Sequence, residues 1–559
     1  MPSAAAYFRE GNARRDARQF ALAVTSYDRA IALDADFAPA YSQRGHCLLS
    51  LGERGPALAS CARATVLRPD AAAGWASLGR LFDRVKAPEL ALKAYRTALR
   101  LAPERADLPG RVLQQQMLCC DWDGIDALVA DIEQRLAAGL DAVHPFFWQA
   151  ISASPQSLLL AAQNHDRTRR AIIADDAPFA PPLPDGKIRI GYVSGELNLA
   201  PNGLVTAGVF DHHDRSAFEV TAFDNGQDDG TPLRRRIVSA FDRVIDVRAM
   251  SDGEMAGAIR AAGIDILVNL NGFFGNARSE VFLRRPAAVQ VNYLGCPGTM
   301  GGFAMDYAIA DAVVVPDEDR QFYTEKIVHL PDSYYPTDRE REIADRTFSR
   351  AECGFPETGF VFCCFNTAHK ILPTAFARWM DILRAVEGSV LWLLDSHSVA
   401  TANLSAEAGR HGIDPARLVF APPFPPDEHL ARHACADLFL DTLPYNAHTT
   451  ATDALWSGLP VLTCMGTTFP GRVAASVLRA MDLSELVTHS PEGYVRRAIE
   501  LATRPGVLEQ IRAKLAANRL ITPLFDTARF TRHMEAAYRE MHRRRCAGLE
   551  PEAIAIGRE

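Results

Sequence analysis

The chain reads as an α plus α/β protein: helical repeats at the amino end, then a pair of Rossmann-like domains. Three observations predict this. A 34-residue period runs through residues 7–103, a proline-rich break follows at residues 177–186, and beyond it short unbroken apolar runs alternate with helical stretches. At about 150 residues per domain, 559 residues suggest three to four domains.

The period is visible residue by residue. Tyr7, Tyr41 and Trp75 fall in step, as do Gly11, Gly45 and Gly79, and Ala23, Ala57 and Ala91. Tyr27, Cys61 and Tyr95 follow, then Ala30, Ala64 and Ala98, and Leu33, Leu67 and Leu101 close each unit, with Pro69 and Pro103 after the last two. This is the tetratricopeptide pattern, whose small Gly and Ala positions let two helices approach closely. Residues 1–103 are therefore three repeats, a module that either holds a peptide on its concave face or serves as a structural or dimerising cap.

Residues 104–185 keep a helical texture without the period, Ile125–Leu136 being amphipathic, and read as a bridge ending in the linker Ala177–Gly186. After it come apolar runs at 188–193, 264–269, 289–294 and 308–315. A second set lies at 360–365, 390–394, 418–420, 438–440 and 461–463. Continuous rather than alternating apolar strands indicate parallel sheets covered on both faces. A split near 338–345 gives two halves, 186–340 and 341–559, with Phe530–Arg545 as a final helix. Its Arg543-Arg544-Arg545 end reads as solvated.

Composition narrows the function classes. Charged residues at 23%, hydrophobic residues at 48% and a formal charge of −8 speak against disorder and against a protein that coats nucleic acid or anionic membrane. The richest apolar stretch, Ser389–Asp395, has only strand length, and the first residues lack a signal pattern. Eleven cysteines without a C-x-x-C suggest reduced thiols, hence a cytoplasmic protein. No G-x-G-x-x-G, P-loop or G-x-S-x-G signature is present, so the usual dinucleotide, NTPase and hydrolase fingerprints are missing.

Three segments can carry chemistry. Asp441–Trp456 leaves a strand, turns through Pro444 and Asn446, and enters a helix at His448-Thr449-Thr450. Backbone N–H groups and hydroxyls there suit a pyrophosphate, with Asp453 one turn along for a ribose. Simple threonine capping of the helix accounts for the same residues. Lys370, in Asn366-Thr-Ala-His-Lys370, follows another strand end and is either a point charge for a departing diphosphate or a solvated loop lysine. His429 and His433 have metal-like spacing but no third ligand, so His429 is read as an aromatic face for a base, with Arg432 on the same helical face. Asp121-Trp-Asp123 and Asp317-Glu-Asp319 read as surface turns.

The repeats together with Gly191-Tyr-Val-Ser194, Leu283–Gln290, Tyr293-Leu-Gly-Cys-Pro-Gly-Thr299, Met305-Asp-Tyr307 and Asn446-Ala-His-Thr-Thr450 resemble the protein O-linked N-acetylglucosamine transferases. That group (glycosyltransferase family 41) includes the fucose-transferring SPINDLY proteins and many bacterial members. The resemblance implies a GT-B fold and an inverting transfer, without metal or other cofactor, from a nucleotide sugar to Ser or Thr of proteins. It implies that Lys370 neutralises the leaving diphosphate and that Thr449 and Thr450 hold the pyrophosphate beside His448. His429 then stacks on the base, Arg432 lies nearby and Asp453 binds the ribose.

Three positions depart from the family pattern: Ala200 stands where a histidine is common, Thr367 replaces a polar amide, and Pro426 replaces a base-contacting lysine. Thr367 is still expected among the donor-binding residues. UDP-GlcNAc is the first choice of donor, with GDP-fucose, UDP-glucose or a CMP-sugar as alternatives, on acceptors that include surface proteins such as flagellin. The expected partners are protein acceptors, met through the repeats, and a second copy in a homodimer. A non-catalytic repeat scaffold is the other class of reading.

Overall fold

A computed structural model describes residues 2–171 and 186–558; most of the proline-rich linker, 177–185, lies outside them. The chain divides into two compact units. One comprises the residues up to His144 with Ala249–Glu254, the other Pro145–Arg248 with Met255 onward.

The first unit is built of paired helices: α1 (Ala4–Asp16), α2 (Phe20–Leu33), α3 (Ala38–Ser50), α4 (Arg54–Leu67), α5 (Ala72–Arg84) and α6 (Pro88–Leu101), followed by α7 (Leu108–Cys119) and α8 (Ile125–Ala137). The periodic glycines sit where the two helices of a repeat cross. A Cβ on Gly11 would lie 2.5 Å from the Tyr27 ring, one on Gly79 2.6 Å from the Tyr95 ring, and one on Gly45 2.4 Å from Cys61 Sγ. Any larger residue would push the pair apart. The span read as a bridge is divided: α7 and α8 belong to the repeat unit, while the helices Pro145–Trp148 and Pro155–Arg170 belong to the second unit.

The second unit contains two sheets, every pairing in them parallel. The first uses β1 (Ile188–Ser194), β2 (Phe218–Asp224), β3 (Arg243–Asp246), β4 (Ile266–Asn269), β5 (Val289–Asn292), β6 (Tyr307–Asp311) and β7 (Lys326–Leu330). The second uses β8 (Val361–Cys364), β9 (Val390–Leu394), β10 (Leu418–Ala421), β11 (Leu438–Leu440), β12 (Val461–Cys464) and β13 (Val487–Thr488); β14 (Ile554–Ala555) closes the chain. Strand orders are β14-β7-β6-β5-β4-β1-β2-β3 and β10-β9-β8-β11-β12-β13. Counted from its own first strand, each sheet follows the Rossmann order 3-2-1-4-5-6, which reverses direction between its first and fourth strands. The central strands β4, β5, β8, β11 and β12 are buried throughout, mostly as apolar runs, and in β5 with the Gln290 and Asn292 amides hydrogen-bonded inside.

The chain end differs from the sequence expectation, which kept all of 341–559 in the second half. The helix Thr527–Cys546 instead crosses back to the first sheet, and β14 pairs with β7. Its buried row Phe530, Met534, Ala537, Tyr538 and Met541 recurs every three or four residues and packs there. His213 is bound into this joint, with Nε2 2.9 Å from Tyr192 Oη and Nδ1 3.1 Å from Glu535 Oε1. The exposed edge strand β3, the two-residue β13 and β14, and the mixed-polarity β2 and β7 are the strands without an apolar run in the sequence.

Candidate active site

The switch point of the second sheet lies between the carboxyl ends of β8 and β11, where a ligand crevice is expected. From β8 come Asn366, Thr367 and a short 3₁₀ turn, Ala368–Lys370; from β11 come Asp441, Thr442 and the turn leading to the helix Thr449–Trp456. Side chains knit the two ends together. Asn366 Nδ2 donates to Thr442 Oγ1 at 2.8 Å, and Thr450 Oγ1 donates to Asn366 Oδ1 at 2.5 Å.

Lys370 is half-buried in this knot. Its Nζ donates to the Asn446 carbonyl at 3.0 Å and stands 3.9 Å from the centre of the Tyr445 ring. Burial pulls its pKa down to about 7, against the opposing field of Asp441. Asp441 is buried and pushed up to about 7 by that burial, although it accepts from Thr463 Oγ1 at 2.6 Å, Thr442 N at 2.7 Å and Ala447 N at 2.5 Å. The ammonium thus has a carbonyl and a π face but no directly paired carboxylate, a setting that favours an incoming anion.

The helix start lies beside it. The N–H groups of Thr449 and Thr450 have no carbonyl one turn back to meet. Both hydroxyls are occupied: Thr449 Oγ1 bonds Tyr335 Oη at 2.7 Å, and Thr450 bonds Asn366. The anion-binding capacity therefore resides in backbone N–H groups rather than in the hydroxyls. His448, the N-cap residue, stacks on Tyr445 with ring centres 4.6 Å apart. Burial holds it neutral, so its Nε2–H donates to the Pro470 carbonyl at 3.2 Å and Nδ1 remains an acceptor.

The helix Pro426–Arg432 carries the histidine expected at the base. His429 Nδ1 accepts from Arg432 Nε at 2.9 Å and Nη2 at 2.6 Å, and burial lowers its pKa to about 2, leaving a neutral ring. Arg432 itself is 1% exposed, with its guanidinium over Phe365, Phe424 and Trp392 and a 2.5 Å bond to the Pro422 carbonyl. It orients His429 from behind. His433 donates Nδ1–H to the His429 carbonyl at 2.7 Å, so this His pair is arranged as packing. Pro426 is the first residue of the helix, and Thr367 is exposed with its hydroxyl 3.1 Å from His369 Nδ1. Asp453 is buried and ion-paired with Arg341.

Residues outside the sequence-read set complete the site. Tyr335, Tyr445, Asp441 and Arg341 are joined to expected residues by the contacts above. On the first sheet the matching switch point lies between β1 and β4, where the Gly195 N–H donates to Asn271 Oδ1 at 2.8 Å. Next to it stands Glu196, 7% exposed, its Oε2 without a hydrogen-bond partner. Burial pushes its carboxyl up to about 7. Gly275 makes room for it, since a Cβ there would fall 2.2 Å from Glu196 Oε1. A signal was available: Glu196 follows β1 as Asn366 follows β8. Ala200 is the N-cap of the helix Pro201–Asp211, with no side-chain cap.

The aspartate triplets are engaged with arginines. Asp121 pairs with Arg96 at 2.8 Å, Asp317 with Arg320 at 2.7 Å and Asp319 with Arg472 at 2.7 Å. Among the described residues, no helix is long and apolar enough to cross a membrane.

Comparison with known proteins bears on this geometry. The profile described as Glycosyl transferase family 41 matches residues 177–346 and 340–534. A probable UDP-N-acetylglucosamine–peptide N-acetylglucosaminyltransferase SEC of Arabidopsis thaliana is 34% identical over 463 residues, covering 79% of this chain and 47% of the relative. A UDP-N-acetylglucosamine–peptide N-acetylglucosaminyltransferase of Caenorhabditis elegans is 26% identical, covering 79% of this chain and 49% of its own length. The chain spans about half the length of the curated relatives it matches. A mutant O-GlcNAc transferase of Thermobaculum terrenum superposes with a TM-score of 0.72 at 28% identity, covering 98% of this chain and 99% of that one. With the repeat unit, the paired Rossmann sheets and the profile match in agreement, the chain belongs to glycosyl transferase family 41.

Proposed function

We propose that this protein is an inverting, metal-independent O-glycosyltransferase that moves a sugar, first choice GlcNAc from UDP-GlcNAc, to Ser or Thr of protein acceptors. The observation that carries the reading is the half-buried Lys370 ammonium, which has a carbonyl and a ring for partners beside an open helix start at a topological switch point. The activities for which the relatives and the Thermobaculum protein are named support it.

In this mechanism the acceptor hydroxyl attacks the anomeric carbon from the face opposite the nucleotide. The new glycosidic bond forms as the bond to the diphosphate breaks, and the charge growing there meets Lys370 and the Thr449 and Thr450 N–H groups. Preorganised donors of this kind contribute about 3–4 kcal/mol each to such a step. Glu196, an acid poised near neutrality with an unpaired oxygen at the switch point of the first sheet, takes the hydroxyl proton. His213, tied to Tyr192 and Glu535, is unavailable for that role. The arginine-paired aspartate triplets support transfer without a divalent ion, and eleven free thiols support a cytoplasmic setting.

The test is turnover of UDP-GlcNAc, UDP-glucose, GDP-fucose and a CMP-sugar by purified protein in EDTA. Consumption of UDP-GlcNAc is expected. Consumption of another donor alone would move the sugar assignment, and dependence on added metal would overturn the mechanism.

A further inference from the structure

The repeat unit carries an arrangement of charge that the transfer chemistry does not use. Stepping by 34 residues places Asn12, His46 and Arg80 in one column and Asp16, Ser50 and Arg84 in a second, on the first helices of successive repeats. Successive repeats meet within the second column, where Arg84 Nη1 reaches Ser50 Oγ at 3.4 Å across one full repeat. Around them gather Arg15, Arg105 and Arg111. The field of Arg80, Arg84 and Arg15 acts on His46 together with burial, and Arg111 and Arg105 act on Arg80.

The carboxylates present do not balance these cations. Arg15 pairs with its neighbour Asp16 at 2.7 Å and reaches Gln43 Oε1 at 2.6 Å. Arg105 and Arg111 share Asp107, at 2.7 and 3.1 Å. Asp83 is engaged by Gln115 Nε2 at 3.1 Å. Arg80 and Arg84 find only hydroxyls, Ser77 Oγ at 2.9 Å and Ser50 Oγ at 3.4 Å, and neither is ion-paired. A second group points the same way: the half-buried His46 has its Nε2 shielded from solvent and without a hydrogen-bond partner. The half-buried Arg80, crowded by Arg111 and Arg105, and the exposed Arg84 both act on the unpaired imidazole and form a site for carboxylates, which a guanidinium fork accepts bidentately.

We infer that this face of the repeats binds an extended acidic peptide segment, with its Asp or Glu side chains on Arg80 and Arg84. Arg80 and Arg84 lie one turn apart on α5, their Cβ atoms about 5–6 Å from one another, and alternate residues of an extended chain point to one side about 6.6 Å apart. Acidic residues at alternate positions therefore match the pair. This deepens the reading of the repeats as the module that meets protein acceptors and rests on that reading.

The test uses the full chain and a fluorescein-labelled fifteen-residue peptide of Ser and Gly with Glu at every second position, against the same peptide with Gln. Anisotropy titration at low salt is expected to give at least tenfold tighter binding of the Glu peptide. The preference is expected to disappear in an Arg80→Gln/Arg84→Gln variant and to return in part with Arg80→Lys/Arg84→Lys, which also controls for folding. Binding by the Lys370→Met variant is expected to match the parent, so failure of the transfer reading would leave this result standing. Equal affinity for the two peptides, or competition by inorganic polyphosphate as strong as by the Glu peptide, would overturn the inference.

Discussion

The two sheets of the second unit share one strand order, yet their switch points are furnished in opposite ways. At the second, a dense set of bonds ties the strand ends together: Asn366 spans Thr442 and Thr450, Asp441 is held by three donors, and Lys370 rests on a carbonyl and a ring, with Asn446 Oδ1 and His369 Nε2 left unpaired. At the first, Glu196 keeps its buried Oε2 unpaired while its Oε1 occupies the space that Gly275 leaves free. An edge cross-tied by this many bonds resists reorganisation, which suits the stabilisation of charge at a fixed place. An acid with a spare lone pair and a pKa near neutrality suits proton exchange. One topology thus supplies a rigid cationic edge and a protonatable one.

Replacing the cation attacks that contrast most directly. Lys370→Met should lower kcat/KM by about 10³-fold, the loss expected of one well-placed charge, with an unchanged circular dichroism spectrum; near-parental turnover would remove Lys370 from the chemistry. Glu196→Gln comes next. A general base contributes about 10²–10⁴-fold, so transfer should fall by at least about 10² and the rise of rate through about pH 7 should disappear. Donor affinity should stay at the parental value, and a retained pH limb would show that another group takes the proton.

The same substitution sharpens the comparison through stability. Burial raises the Glu196 carboxyl from 4.5 to about 7, so the folded state holds its proton more tightly than the unfolded chain does. The stability this contributes is full below pH 4.5 and is lost as the pH rises through 7. Gln does not titrate, so denaturation of parent and variant should diverge in the variant's favour across that window, by at most about 3 kcal/mol. Parallel curves would mean that the carboxyl is better solvated than its burial implies. The smallest effect is expected at the seam between the halves. Tyr335→Phe removes the hydroxyl bonded to Thr449, and at about 1 kcal/mol for such a bond the donor KM should rise roughly fivefold with kcat preserved.

Local pattern carried a large part of this protein. The glycine and alanine columns required close helix pairs, and the unbroken apolar runs of β4, β8, β11 and β12 required buried parallel strands. Lys370 and the His448-Thr449-Thr450 helix start were legible because each follows a strand end. Their partners were less so. Arg432 reads in sequence as a donor-binding cation on the face of His429, and only its seat among Phe365, Phe424 and Trp392 makes it the group that orients His429.

What the sequence determined by itself are features written within one or two turns or one strand: the repeat period, the strand cores and the turn chemistry at strand ends. Contacts that join distant segments belong to the tertiary structure alone. The helix Thr527–Cys546 returns to the first sheet, binding Glu535 to His213; Arg341 meets Asp453; and Tyr335 meets Thr449. None of these has a periodic signature, because a pairing between residues separated by a hundred positions or more is set by which surfaces close-pack after the elements exist.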